Sequence, residues 1–208
     1  MKNISNSPGL HYLLWRVGLV PAQTETTEEE KQALAELARG RRRLLEIGVW
    51  HGANTRRFRS VMADDGVLYA VDPFPRGRFG FSWERMVAHS EVGRERRGAV
   101  RFLEMTSAQA AESLRDEPDE PFDFIFIDGD HSYEGLRTDW SLWSERVAPN
   151  GVIALHDSRS TSKRVIDHMG SVRFTQEVVR TDKRFRLKAE VDSLTVMEPV
   201  GIADAGVA

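Results

Sequence analysis

The stretch Leu44-Leu45-Glu46-Ile47-Gly48-Val49-Trp50-His51-Gly52-Ala53-Asn54-Thr55, followed by Leu68-Tyr69-Ala70-Val71-Asp72, reads as strand, glycine turn, helix and a second strand that ends on an acid. This order admits few folds, because two buried strands joined through a helix must lie parallel, with the helix crossing one face of the sheet. Glu46 falls near the carboxyl end of the first strand. Gly48 and Gly52 let the turn pass close to a ligand without a Cβ in the way. Asp72, about twenty residues beyond the turn, sits where a carboxylate can accept hydrogen bonds from both hydroxyls of a ribose.

The same rhythm runs through the rest of the chain. Strands are expected at Arg43–Val49, Val67–Val71, Ala99–Leu103, Phe122–Ile127 and Gly151–Leu155. Helices are expected between them at Ala53–Ala63, Trp83–His89, Ser107–Leu114 and Tyr133–Val147, with a turn at Pro149-Asn150-Gly151. Such alternation means a parallel sheet with helices on both faces. Phe185–Val191 and Ser193–Val196 flank a tight turn at Asp192 and should close the sheet as an antiparallel hairpin. Upstream, Thr27-Glu28-Glu29-Glu30 is a capping-box pattern, and the helix it opens is stopped by Gly40. Residues 1–40 are therefore read as an N-terminal helical segment, 41–200 as the main domain and 201–208 as a tail. An apolar patch around Leu10, Tyr12, Leu13, Leu14, Trp15 and Val17 should pack on the body or on a partner subunit, which makes a homodimer reasonable.

Composition narrows the function. With 208 residues the chain supports one core, and a net charge of -3 argues against a partner held through its phosphates, so no nucleic acid is expected. The absence of cysteine excludes thiolate metal sites and cysteine nucleophiles. No apolar run reaches the roughly 20 residues of a membrane span, so a cytoplasmic protein without membrane contact is the expectation. Arg39, Arg41, Arg42 and Arg43 stand at a helix end, where cations suit the dipole.

Parallel strands deliver their end groups to one rim of the sheet. Phe122-Asp123-Phe124-Ile125-Phe126-Ile127-Asp128-Gly129-Asp130-His131 brings Asp128 to a strand tip, with Asp130 and His131 in the turn. Gly151-Val152-Ile153-Ala154-Leu155-His156-Asp157-Ser158 brings His156 and Asp157 to the next. Asp128 and Asp157, with His156 or Asp130 alongside, form a candidate site for a divalent cation such as Mg²⁺ or Mn²⁺. The bland alternative is that Asp130 or Ser132 caps the helix beginning near Tyr133. Trp50 stands where a Gly-x-Gly-x-x-Gly fingerprint needs its second glycine, which disfavours a pyrophosphate nested on backbone amides. His11, His89 and His168 read as packing or surface residues.

At these residues the chain resembles the class I S-adenosylmethionine-dependent methyltransferases, within them the catechol-type and the macrolide or aminocoumarin sugar O-methyltransferases. The resemblance runs from Leu44 to Pro199. It implies a Rossmann-like, doubly wound, mostly parallel α/β sheet of seven strands with an antiparallel C-terminal hairpin. It also implies S-adenosyl-L-methionine as cofactor, held by Glu46, Gly48, Gly52, Asp72 and Asp128, with Thr106-Ser107 where the family contacts adenine. In metal-dependent members the acids matching Asp128 and Asp157 bind Mg²⁺, and in sugar-modifying relatives the acid matching Asp130 is the base. His156 or Ser158 stands where relatives carry a second carboxylate or an asparagine beside these ligands. The reading is O-methylation of a small hydroxylated acceptor, with Asp130, or failing that His131, taking the proton. The loop after Asp72, the N-terminal segment and Arg159 to Gly170 should shape the acceptor site. The alternative is a Rossmann-type protein that binds NAD, or S-adenosylmethionine without catalysis.

Overall fold

The computed structural model describes residues 8–77, 80–115 and 120–201. Part of the loop after Asp72, most of the acidic loop before Phe122 and nearly all of the tail lie outside them. Seven strands form one sheet: β1 (Arg43–Ile47), β2 (Val67–Val71), β3 (Ala99–Leu103), β4 (Phe122–Ile127), β5 (Val147–Leu155), β6 (Phe185–Val191) and β7 (Leu194–Pro199). Their order is β3-β2-β1-β4-β5-β7-β6. The first five are parallel, and β7 alone runs against them, paired antiparallel to both β5 and β6.

Alternation along the strands sorts side chains to two faces. Leu45, Ile47, Tyr69, Ile125, Ile127, Ile153 and Leu155 pack against α5 (Ser107–Ser113), α6 (Tyr133–Trp143) and α7 (Gly170–Glu177), where Trp140, Trp143 and Phe174 fill the layer. Leu44, Leu68, Phe124, Phe126 and Val152 face α2 (Glu28–Ala38) and α3 (Ala53–Val61) through Leu34, Ala38, Phe58 and Met62. Phe58 meets Phe124 and Phe126 edge-on, with ring centroids 5.0 and 5.6 Å apart. Each such fully buried side chain contributes about 1.5 to 3 kcal/mol. The fold expected from the sequence is thus present.

Boundaries differ for physical reasons. β1 ends at Ile47 because Gly48 turns to φ +90°, a conformation that L side chains resist. The helix after β4 stops at Trp143, where a 3-10 turn (Ser144–Arg146) takes over, and β5 starts at Val147. The Pro149-Asn150-Gly151 turn is absorbed as an irregularity between Phe122↔Val147 and Phe124↔Val152. α7 was not anticipated. Of the N-terminal segment, α1 (Pro8–Arg16) lies on α4 (Trp83–Val92), burying Trp15 while Leu13 and Val17 stay exposed. The Trp15 indole donates to Glu91 Oε2 at 3.2 Å. α2 carries the full capping box, Thr27 with Glu30.

Candidate functional site

A cavity of about 810 Å³ opens at the carboxyl ends of β1, β2 and β4. Gly48 begins its floor. A methyl group there would stand 2.1 Å from the Asp128 carbonyl oxygen, so only glycine lets the turn after β1 cross the end of β4. Trp50, in the middle-glycine slot, adopts the left-handed conformation with φ 48°. The Asp72 carboxylate holds this turn: Oδ2 accepts from Val49 N at 3.0 Å and Trp50 N at 2.9 Å, and Oδ1 from Phe74 N at 2.7 Å. A carboxylate offers about four acceptor positions, so Asp72 keeps one for a ligand hydroxyl.

Two of the expected contacts do not line the cavity. Glu46 alternates onto the α2/α3 face, fully buried, and burial drives its carboxyl well above the usual range although the Thr55 hydroxyl opposes this. Gly52 is the N-cap of α3, where a Cβ would press on Val92 and Ala88 of α4. Both shape the turn from behind. Thr106 and Ser107 do line the cavity, but their side chains are engaged. Thr106 Oγ1 caps α5 by accepting from Gln109 N at 3.3 Å, and Ser107 Oγ accepts from Trp143 Nε1 at 2.8 Å.

His156, Asp128 and His131 converge on one wall. His156 is 3% exposed, and its Nδ1 lies 2.7 Å from Asp128 Oδ1. Its Nε2 faces Glu30 Oε2 at 3.4 Å and Asp157 Oδ1 at 3.8 Å. Burial works against charging this ring, but Asp128, Glu30 and Asp157 outweigh it and push His156 up to about 10. Glu30 is itself buried. It accepts from Thr27 N, Ser193 N and Ser193 Oγ at 2.8, 2.8 and 2.6 Å. Burial would raise its carboxyl, yet His156, Ser193 and Thr27 hold it down at about 2. His131 Nε2 stands 3.7 Å from the same Asp128 Oδ1, with its ring about one-third exposed to the cavity.

Of the expected metal ligands, Asp128 and His156 come together, and Asp157 and Asp130 do not join them. Asp157, at φ 47°, turns its carboxylate out of the cavity onto Arg164 Nη2 at 2.6 Å. What comes together within 4.8 Å is Asp128, His131 and His156. This set does not fit Mg²⁺, which asks for oxygen ligands, and His156 directs both ring nitrogens at carboxylates, leaving no lone pair to offer. Asp130 serves the turn: its Oδ1 accepts from Ser132 N at 2.8 Å, and Ser132 caps α6 by accepting from Gly135 N at 2.9 Å.

The N-terminal segment closes the opposite wall through Gln23, Thr24 and Glu25. Gln23 N donates to His51 Nδ1 at 3.1 Å, and His51 stacks between His11 and Trp50, each ring 4.8 Å away. Burial and the neighbouring His11 pull His51 down to about 4, so it accepts as a neutral ring. Of Arg159 to Gly170, none lines the cavity; Arg164 reaches Glu25 and Asp157 behind it. Six carboxylates line the cavity (Glu25, Asp72, Asp128, Asp130, Glu134 and Asp139), and among the described residues no lysine or arginine does.

Comparison with known proteins matches this architecture. A putative O-methyltransferase from Klebsiella pneumoniae superposes with TM-score 0.64 at 23% identity, covering 95% of this chain and 92% of that one. The O-methyltransferase TomG of Streptomyces achromogenes, involved in tomaymycin synthesis and solved with S-adenosylmethionine, gives 0.66 at 16% identity over 93% and 89%. The Bacillus cereus O-methyltransferase bound to S-adenosylhomocysteine gives 0.60 at 21% over 95% and 93%. In sequence, the uncharacterised protein y4gI of Sinorhizobium fredii is 28% identical over 125 residues, which are 56% of this chain but only 13% of that protein. Residues 45–158, from the core of β1 to the end of the Asp157 turn, match the family model of a methyltransferase domain. The chain belongs to that family and has the fold of the class I S-adenosylmethionine-dependent methyltransferases.

Proposed function

We propose that this protein transfers the methyl group of S-adenosylmethionine to a hydroxyl of a small molecule, without a divalent cation. The observation that carries this reading is the sign of the cavity, where six carboxylates outnumber the single charged ring of His156 and no lysine or arginine faces them among the described residues. Such a field favours a sulfonium and repels the pyrophosphate of NAD or a nucleic-acid backbone. The residues that would hold the cofactor are Asp72 at the ribose, the Gly48–Trp50 turn and the rim formed by Thr106, Ser107 and Ala108. S-adenosylmethionine supplies an electrophilic methyl group, which needs an acceptor oxygen in line and about 3 Å away.

The wall opposite the N-terminal segment supplies the base. His131 has an open ring face on the cavity, and Asp128 behind it stabilises the imidazolium that forms on taking the acceptor's proton. His156 fixes Asp128 in turn through the 2.7 Å contact. Asp130, bound into the turn that starts α6, contributes to the field instead. Gln23, Thr24 and Glu25 would close over the acceptor and limit it to a small molecule.

Isothermal titration with S-adenosylmethionine, S-adenosylhomocysteine and NAD, with and without Mg²⁺, tests this. Binding of the two sulfur nucleosides, unchanged by Mg²⁺ and lost in Asp72→Ala, is the expected result. Binding of NAD alone would overturn the assignment, and Mg²⁺-dependent heat would overturn the metal-free site.

A further inference from the structure

Asp139 serves in the chemistry above only as one of the six cavity carboxylates, with no contact of its own assigned to it. It lies midway along α6, only 4% exposed, and lines the cavity. No cation pairs with it among the described residues. The Ser107 hydroxyl is close enough to favour its charged form, but that hydroxyl is held by the Trp143 indole at 2.8 Å, and among the described residues no side chain or backbone group donates a hydrogen bond to the Asp139 carboxylate. Oδ2 is the neighbour of Gly129, 3.8 Å from where a Cβ would be, and the bare glycine leaves the carboxylate unscreened on that side. Burial outweighs the pull of the Ser107 hydroxyl, and Asp130 adds to the burial, raising Asp139 to about 6, as expected of a carboxylate without donors.

A buried carboxylate without a donor is costly unless a ligand brings one. The donor must arrive beside Ser107, the end of the cavity assigned to adenine. The adenine exocyclic amine is the group there with protons to give. We infer that Asp139 is the specificity residue for the base of the cofactor, accepting a hydrogen bond from the 6-amino group and rejecting a 6-oxo purine, whose oxygen would face the carboxylate. The inference rests on the cofactor reading above. Asp139 takes no part in methyl transfer. Facing the Ser107 hydroxyl alone would be served equally by an asparagine, which offers the same acceptor oxygen without a buried charge, so the carboxylate points to a ligand.

The test is binding of S-adenosylhomocysteine against S-inosylhomocysteine by titration calorimetry, to the full chain and to Asp139→Asn. Wild type should prefer the amino nucleoside by about 10- to 100-fold, the range for a hydrogen bond to a charged group. Asp139→Asn, whose amide can also donate, should bring the ratio close to one, chiefly by gaining affinity for the inosine compound. Equal binding of the two nucleosides by wild type overturns the assignment without any variant, as does a variant that keeps the wild-type ratio. A wild type that binds neither nucleoside overturns the cofactor reading together with this one.

Discussion

Raising the pH should weaken this fold by removing the proton that His156 holds among Asp128, Glu30 and Asp157. The sign follows from direction: a histidine raised to about 10 in the folded chain, against about 6.5 unfolded, gives stability that is complete below about pH 6.5 and lost as pH rises towards 10. At about 1.4 kcal/mol per pH unit the whole interval amounts to about 5 kcal/mol, of which about 3 should be gone between pH 6 and pH 9. The depression of Glu30 to about 2 is the same attraction seen from the other partner and is not added. His11 and His51, both lowered, act in the opposite direction, and their effect is finished once pH exceeds about 6.5. Glu46, raised by burial, also loses stability as pH climbs, so the histidine must be isolated by difference. Urea unfolding of wild type and His156→Gln from about pH 6 to about pH 9 does this, because Glu46 behaves alike in both. The gap between the two should shrink by about 3 kcal/mol across the range. Parallel pH profiles would refute the reasoning. If the variant does not fold, ring-nitrogen NMR of the wild type decides, and a His156 titrating near 7 would refute it equally.

Gly48→Ala should cost about 3 kcal/mol or more, since it combines an unfavourable positive φ with a clash against the Asp128 carbonyl; a midpoint of chemical denaturation within error of wild type would show that the turn can move. His131→Ala should lower kcat by about 10²- to 10⁴-fold while S-adenosylhomocysteine affinity holds. Asp130→Asn, which still accepts from Ser132 N, should stay within about fivefold of wild type. The reverse ranking in a methyl-transfer assay would make Asp130 the base.

The sheet was legible because β2, β4 and β5 end in apolar runs that lead straight into Asp72, Asp128 and His156-Asp157, and Thr27-x-x-Glu30 declared its helix start. The site was legible only at strand tips. Asp157 read as a metal ligand because it follows a buried strand, and nothing local showed that a left-handed turn would hand its carboxylate to Arg164. Glu30 read as a capping residue, which it is, but its second contact lies 163 residues away at Ser193, a separation no local pattern encodes. Asp139 was missed although a signal existed. It falls three residues after Leu136 and four before Trp143, on the buried face of α6, where an acid is out of keeping with its neighbours.

Because one carboxylate of α2 completes the helix start, holds the β6–β7 turn and balances the charge of His156, the helix preceding the sheet is not a detachable appendage. A fragment cut at residue 41 would keep every strand and every cavity acid supplied by the sheet, yet it would leave an imidazolium buried with one of its three carboxylates missing. The smallest cooperative unit therefore begins before Thr27. Any longer protein that carries this module, or any fusion built from it, must place its junction upstream of that capping box rather than at the first strand.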